Sequence, residues 1–191
     1  MNKNTRDLVL DAKRFAIYAH GSQLRQFSMA PYVTHTQRVA ERVRAYGGTE
    51  TMIAAAHLHD VLEDTDVSAN VLLELFGEHV HALVQELTDQ NTPEMGNRAV
   101  RMAFECNRLA GNSPEAQTIK LADLIDNTLD IVKWNIAFAR TYVPEKKAIL
   151  AVMTRGDPDL LILAHKIVLD AEKTLAEYTR MVEETKLAVA K

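Results

Sequence analysis

The chain has 191 residues, of which 47% are hydrophobic and 25% charged, and its formal net charge at pH 7 is -4. This composition is that of an ordinary globular domain and argues against a disordered, collagen-like or membrane-spanning chain. The negative net charge argues against broad electrostatic binding to nucleic acid or to an anionic membrane. A polyanionic substrate would therefore need local cations or a metal ion.

Helical periodicity dominates the sequence. Apolar residues recur at three- and four-residue steps, as in Leu8, Ala12 and Phe15, whereas strand-like alternation is nearly absent. The chain is therefore predicted to be an all-α helical bundle of about eight to ten helices. The predicted helices lie near residues 4–20, 32–46, 49–62, 68–76, 78–88, 95–110, 115–132, 137–154 and 158–186.

The sequence shows no internal repeat and no stretch rich enough in Pro, Gly or Ser to form an interdomain linker, so a single domain over residues 1–191 is expected. Cys106 is the single cysteine, and the N-terminal segment contains acidic residues and no apolar run of signal-peptide length. These features predict a cytoplasmic protein without a disulfide. The C-terminal helices are predicted at 137–186, and the stretch from Asp157 onward is expected to close the bundle or to contribute to a homodimer contact.

Around position 60 the sequence reads AAAHLHDVLEDTD, where an alanine-rich helical start runs into His, Asp and Glu side chains. Since residues four apart share one face of a helix, Glu63 lies one turn beyond His59, and Asp64 lies one turn beyond Asp60. A His-Asp dipeptide alone is weak evidence for a metal site, because it is more often part of a solvated acidic helix end.

Two further segments favour a metal site. In PYVTH a proline opens a helix and His35 follows one turn later, and in IKLADLIDN Asp123 interrupts an apolar helical run. A partly buried carboxylate needs a cation or hydrogen-bond donors. Together with His59 and Asp60, these residues form a nitrogen and oxygen donor set that suits Mn²⁺, Fe²⁺, Co²⁺ or Zn²⁺.

The ordered set His35, His59-Asp60 and Asp123 resembles the H…HD…D signature of the HD superfamily. The strings PYVTH, AAAHLHDVLEDT, FGEHV, LVQELTD and IKLADLIDN resemble more specifically the hydrolase domain of Rel/Spo proteins and the stand-alone small alarmone hydrolases, including the metazoan Mesh-type enzymes. The resemblance runs from about residue 5 to residue 132 and fades beyond it.

The resemblance implies an HD fold, one Mn²⁺ held by the four H, H, D and D residues, and hydrolysis of the 3′-pyrophosphate of (p)ppGpp or a related nucleotide. Such an ion would lower the pKa of a bound water and polarise a phosphoryl oxygen. Glu63 and Asp64 look like the family's catalytic acidic pair. Asn127 is expected to contact ribose or phosphate, or to hydrogen-bond Asp123. Tyr142 is expected to pack near the nucleotide.

Base recognition departs from the family pattern. The loop HGSQLRQFSMAPYVTH keeps Arg25 but has Gln26 where relatives usually carry lysine. An arginine plane can stack on a purine and reach phosphate, whereas a neutral amide offers both a donor and an acceptor. Guanine specificity is therefore open, and adenine nucleotides such as (p)ppApp are a second hypothesis.

Phosphate recognition departs from the pattern as well. After LTD, the chain has Gln90 and Asn91 where relatives commonly carry a lysine, so one phosphate-binding charge is expected to be missing. Lys120, in the matching KLAD string, is the residue expected to compensate, ahead of Arg98 and Arg101.

Other functions remain open: an HD-type 5′-nucleotidase, an NADPH 2′-phosphatase, or a non-catalytic domain that senses a nucleotide. The intact ligand set with Glu63 and Asp64 favours an enzyme. The expected partner is a small nucleotide, with no nucleic acid and no membrane. His57 is predicted to be structural, because it is turned about 200° around the helix from His59.

Overall fold

The structure is a computed structural model that describes residues 7–189. Within that range it has nine α-helices, a 3-10 helix at Pro93–Met95 and no β-strand, which confirms the all-α prediction. The α-helices are α1 (Leu8–His20), α2 (Val33–Ala45), α3 (Glu50–Leu58), α4 (Val61–Asp64), α5 (Ala69–Leu87), α6 (Arg98–Gly111), α7 (Pro114–Trp134), α8 (Ile136–Val152) and α9 (Pro158–Val189). Residues 4–6 of the first predicted helix lie outside the described range.

The predicted helix over 49–62 is interrupted. Helix α3 ends at Leu58, and α4 begins at Val61 after a turn at His59 and Asp60. In a continuous helix, neighbouring side chains diverge by about 100°. The turn instead allows His59 and Asp60, which are adjacent in sequence, to point at a common centre.

The two helices predicted on either side of position 77 form one element, α5, that is bent at Gly77. Gly77 has φ 82° and ψ 173°, which lies outside the helical region. Glycine adopts positive φ without the steric cost that other residues have there. The break therefore falls where the sequence predicted it, although the two halves follow one another directly.

Helices α3 and α7 form the centre of the molecule. Every residue of α3 from Met52 to Leu58 is buried, and three consecutive alanines, Ala54–Ala56, allow close approach by neighbouring helices. Helix α3 packs against α1, α2 and α5, whereas α7 packs against α2, α8 and α9. Among residues 7–189, no helix has an apolar stretch long enough to cross a lipid bilayer.

The loop between α8 and α9 is tied to the first turns of α7. The backbone N–H of Arg155 donates to Gln117 Oε1 at 2.8 Å, and that of Asp157 donates to Thr118 Oγ1 at 2.9 Å. Between them, Gly156 lies so close to α7 that a Cβ would come within 2.9 Å of Leu121 Cδ1 and 3.2 Å of Gln117 and Thr118 backbone atoms.

Gly156→Ala is expected to destabilise the fold by about 1–3 kcal/mol, because the added methyl would collide with backbone as well as with a side chain. Gly111→Ala is the matched control, since nothing lies within 4 Å of a Cβ at position 111. Thermal and denaturant unfolding of the two variants measures the difference. Equal stability of both would contradict the close approach at Gly156.

Candidate active site

The four predicted metal ligands converge at one point. His35 comes from the first turn of α2, Asp123 from the middle of α7, and His59 and Asp60 from the turn between α3 and α4. His35 Nε2 lies 3.2 Å from Asp123 Oδ1 and 3.5 Å from Asp60 Oδ2. His59 Nε2 lies 3.1 Å from Asp60 Oδ2 and 3.6 Å from Asp123 Oδ1. Two imidazole nitrogens thus face two carboxylates.

This cluster fits a divalent cation. His35, His59 and Asp123 are at most 4% exposed, and the Nε2 atoms of both histidines are buried without a hydrogen-bond partner in the described part of the chain. The ligand atoms of these three residues lie within 4.8 Å of one another. Buried nitrogen lone pairs and buried carboxylates that face each other are stabilised by a positive charge between them, which a metal ion supplies.

The electrostatics of the cluster lead to the same conclusion. Burial alone would lower the pKa of the His35 imidazole, but the nearby carboxylates of Asp123, Asp126 and Asp60 raise it to about 9. The pKa of His59 is also raised, against its burial, by Asp60 and Asp123. The pKa values of those two carboxyl groups lie well below their usual range. The site therefore attracts either protons or a metal ion.

The outer nitrogens of both histidines are fixed by hydrogen bonds. His59 Nδ1 lies 2.8 Å from the carbonyl oxygen of Ala56, and His35 Nδ1 lies 2.7 Å from Asp126 Oδ2. When Nδ1 donates the proton in both pairs, Nε2 is left as a metal-ligating lone pair. Tyr32 also donates from its hydroxyl to Asp60 Oδ2 at 2.7 Å.

Asp126 is a site residue that the sequence analysis missed. It is 4% exposed and also accepts hydrogen bonds from Arg38 Nε at 2.6 Å and Arg38 Nη2 at 2.9 Å. It could have been found from helical spacing, since it lies one turn after Asp123 within the quoted IKLADLIDN string. Asp126 holds the imidazole of His35 in place and fixes its tautomer.

The predicted acidic pair lies at the rim of the cluster on α4. Glu63 Oε1 accepts a hydrogen bond from the backbone N–H of Asp89 at 2.5 Å, and Asp64 Oδ2 accepts one from Gln23 Nε2 at 3.2 Å. Although Glu63 remains exposed on one side, partial loss of water raises its pKa to about 7, against the opposing charge of Lys120. A carboxyl group with this pKa can both accept and return a proton near neutral pH.

Two of the predicted substrate-binding residues contact the ligand Asp123 directly. Lys120 Nζ lies 2.9 Å from Asp123 Oδ2, and Asn127 Nδ2 donates to Asp123 Oδ1 at 2.5 Å. Both residues lie one turn from Asp123 on α7, so helical spacing brings them to the metal cluster. The hydrogen bond from Asn127 is the second of the two roles expected for it.

A cavity of about 420 Å³ adjoins the cluster, within the size range of small-ligand sites. It contains three of the predicted substrate-binding residues besides Asn127, namely Arg25, Gln26 and Tyr142. Its complete lining is Gln23, Leu24, Arg25, Gln26, Phe27, Tyr32, Asp64, Asn127, Asp130, Ile131, Phe138 and Tyr142. Lys120 is absent from this lining, because it lies on the metal side of Asn127.

One wall of the cavity is aromatic. The ring centroids of Phe27 and Phe138 lie 5.6 Å apart, and those of Phe138 and Tyr142 lie 6.0 Å apart. Neither phenylalanine was proposed from the sequence, since an isolated aromatic residue is ordinarily core. The three rings offer flat apolar surface of the kind on which a nucleobase packs.

Arg25 is held in a fixed orientation on the opposite side of the cavity. Its Nη2 donates to Asn127 Oδ1 at 2.8 Å and lies 3.1 Å from Asp130 Oδ2. The loop that carries Arg25 is closed by two backbone hydrogen bonds, from Arg25 to Ala30 and from Tyr32 to Gln23. Because Asp130 neutralises it, Arg25 contributes a guanidinium plane rather than a free positive charge.

His57 lies outside the cluster. It is 5% exposed and lines a separate cavity with Lys13 and Arg44. Burial lowers its pKa to about 4, so the imidazole is neutral. This placement agrees with the prediction that His57 points away from His59.

The all-α bundle, with two histidines and two aspartates presented in the order H, HD, D, defines the class of HD-domain proteins. Residues 12–119 match the family model described as HD domain, so the chain belongs to the HD domain family. Within that family its similarity is to the Mesh-type and Rel/Spo-type hydrolases, as the sequence strings indicated.

The chain is similar to a Drosophila melanogaster protein named guanosine-3′,5′-bis(diphosphate) 3′-pyrophosphohydrolase MESH1, with 36% identity over 125 residues that cover 64% of this chain and 68% of the relative. It is 37% identical over 128 residues to a Synechocystis protein named probable guanosine-3′,5′-bis(diphosphate) 3′-pyrophosphohydrolase, but the match covers only 17% of that longer protein.

A solved structure described as a metazoan ortholog of SpoT that hydrolyzes ppGpp superposes with a TM-score of 0.77 at 27% identity. The superposition covers 88% of this chain and 97% of the other. The similarity of fold therefore extends beyond the HD domain match and includes most of the C-terminal helices.

Asp126→Asn is expected to weaken binding of a divalent metal by about 10- to 100-fold, because the carboxylate that orients His35 is lost. Asp130→Asn is the matched control, since Asp130 lies on the same helix but pairs with Arg25 instead of a histidine. Titration of Mn²⁺ against a chelating dye measures both affinities. Equal affinity of the two variants would show that Asp126 does not support the metal ligand.

Proposed function

We propose that this protein is a metal-dependent hydrolase that removes the 3′-pyrophosphate of guanosine 3′,5′-bis(diphosphate) and of related alarmone nucleotides, and that Mn²⁺ is its metal ion. The observation that carries the proposal is that the metal cluster and the nucleotide-sized cavity meet at Asn127, which touches both Asp123 and Arg25. A nucleotide whose base lies in the cavity would therefore place its ribose-linked phosphates at the cluster. The names of the relatives in Drosophila and Synechocystis support the same substrate class.

The residues that would hold the ion are His35, His59, Asp60 and Asp123. When bound, the ion supplies an activated water and electrostatic stabilisation of the phosphoryl oxygens. Glu63 is placed to accept a proton from the attacking water and to pass it towards the departing ribose 3′-oxygen. The bond between that oxygen and the inner phosphorus breaks, which leaves a 3′-hydroxyl and releases pyrophosphate. Asp64, hydrogen-bonded to Gln23, orients the water from the opposite side of the rim.

For the base, the aromatic wall and the fixed Arg25 plane provide two flat surfaces that face the same cavity. Gln26 lies in its lining and presents an amide without charge. An amide can donate to the O6 acceptor of guanine or accept from the N6 amine of adenine. We therefore propose that both ppGpp and ppApp are substrates. The cytoplasmic location and the homodimer stay predictions of the sequence.

The substrate is tested by incubating the protein with ppGpp, ppApp, NADPH or AMP in the presence of Mn²⁺ and identifying the products. Release of pyrophosphate from ppGpp or ppApp is the expected result, and chelation of the metal should abolish it. Phosphate release from AMP or NADPH alone would replace the proposal by a 5′-nucleotidase or a 2′-phosphatase. Nucleotide binding without any turnover would favour a sensor domain.

The roles of the acidic residues are separated by two sets of variants. Asp60→Ala and Asp123→Ala should lose metal binding and activity together, whereas Glu63→Gln should keep the metal and lower kcat by about 10²- to 10⁴-fold, because the proton acceptor is lost. Glu74→Gln, an exposed carboxylate on α5, is the control for a general effect of charge removal. Full activity of Glu63→Gln would remove Glu63 from the mechanism.

The contribution of Gln26 is tested by Gln26→Lys. A lysine can donate to O6 and N7 of guanine but is repelled by the amino group of adenine, so the ratio of kcat/KM for ppGpp over ppApp should rise by about 10-fold. Ser22→Lys places the same charge on an exposed position of the same loop, outside the cavity lining, and should leave the ratio unchanged. An unaltered ratio in Gln26→Lys would place the base away from residue 26.

A further inference from the structure

The segment that follows α5 carries no cation at Gln90 and Asn91, where a phosphate-binding charge was expected to be missing. Asn91 donates from its backbone and from its side chain to Asp89 Oδ1, at 2.8 and 2.7 Å, so the segment after α5 presents neutral and acidic groups. Arg98 donates from Nε and Nη2 to the two carboxylate oxygens of Glu145 on α8, and Arg101 donates to the carbonyl oxygen of Gly96. These two arginines are therefore engaged elsewhere.

A different cation, Lys146, lies against Tyr142, which is one of the aromatic residues that line the cavity. Lys146 lies one turn after Tyr142 on α8, and its Nζ is 4.7 Å from the centroid of the Tyr142 ring. It is partly buried, and no carboxylate oxygen of residues 7–189 lies within 4.0 Å of it. Its two neighbours are paired, Glu145 with Arg98 and Lys147 with Glu172. Lys146 thus differs from the cations around it in having no counter-ion.

Lys146 is within electrostatic reach of Lys120 and Asp123. Loss of water and the nearby ammonium of Lys120 lower the pKa of Lys146, and Asp123 opposes this effect. Lys120 is itself satisfied by Asp123, at 2.9 Å, but has more than one donor hydrogen to offer. Neighbouring ammonium groups repel each other, and a bound anion that contacts both would relieve that repulsion.

We propose that Lys146 is a phosphate-binding residue that, together with Lys120, receives the outer phosphate of the substrate's 3′-pyrophosphate; this assignment rests on the function proposed above. The cation comes from α8 rather than from the segment after α5. A nucleotide with a 3′-monophosphate has no outer phosphate that could contact Lys146. Lys146 therefore selects diphosphate over monophosphate substrates.

The test compares Lys146→Met, which keeps an unbranched apolar side chain, with Lys146→Arg, which keeps the charge. Lys147→Met is the matched control, because Lys147 is the adjacent residue and pairs with Glu172 on the surface. The first readout is calorimetric binding of pyrophosphate to manganese-loaded protein, with Mn²⁺ matched in both solutions. The second is kcat/KM for ppGpp and for its 3′-monophosphate analogue.

Lys146→Met should weaken pyrophosphate binding and lower kcat/KM for ppGpp by about 10- to 100-fold, the range expected for a lost charge-assisted hydrogen bond. The effect on the monophosphate analogue should be several-fold smaller, Lys146→Arg should recover most of the loss, and Lys147→Met should match the wild type. Thermal melting followed by circular dichroism is the control that checks whether all variants are folded.

Pyrophosphate binding and diphosphate preference that are unchanged in Lys146→Met would overturn the assignment, as would a loss that Lys146→Arg fails to recover. Failure of the proposed function differs from failure of the Lys146 assignment, because in the former case the wild-type protein would not hydrolyse ppGpp at all. In that case the calorimetric comparison still decides whether Lys146 binds pyrophosphate.

Discussion

The arrangement of the bundle depends on two buried histidine nitrogens that face two buried carboxylates. Neither Nε2 atom has a hydrogen-bond partner among the described residues, and the carboxylates keep their negative charge despite burial. Such an arrangement is stable only with a cation at its centre, supplied by protons on the imidazoles or by a metal ion. The packing of α2, α3 and α7 around this point therefore lowers the stability of the cation-free protein, and binding of a cation restores that stability.

Helix α7 organises the site along its length. Lys120, Asp123, Asn127 and Asp130 follow one another at three- and four-residue steps, so they form a row on one face of the helix. The row extends over about 15 Å, from Lys120 to Asp130, which is the partner of Arg25. Since each of these side chains contacts the next residue of the row or a shared neighbour, the metal cluster and the base cavity are held at a fixed separation.

The sequence was sufficient for the features that depend on local spacing. Helical periodicity predicted the bundle, and the predicted helices ended and began on either side of Gly77, where α5 is bent. The grouping of His35, His59, Asp60 and Asp123 was proposed from their donor chemistry and from a resemblance, because no spacing rule joins segments so far apart in the chain. Phe27 and Lys146 were missed for a related reason: an aromatic residue or a lysine gains a role only from the side chains that tertiary packing places beside it. Asp126 was missed although helical spacing places it one turn after Asp123. The interruption between α3 and α4 was not predicted, because the residues around His59 and Asp60 are compatible with a continuous helix.

The two ends of the site differ in charge, and this difference determines how a substrate can lie. At the base end, Asp130 neutralises Arg25 and Gln26 is uncharged, so the aromatic wall faces a polar but electrically neutral surface. At the other end, Lys120 contacts Asp123 of a cluster that fits a divalent ion, and Lys146 lies against the ring of Tyr142. A nucleotide that entered in the reverse orientation would place its phosphates near Asp64 and Asp130 and away from Lys120. Under the proposed function, this difference in charge would orient the substrate before any hydrogen bond to the base is made.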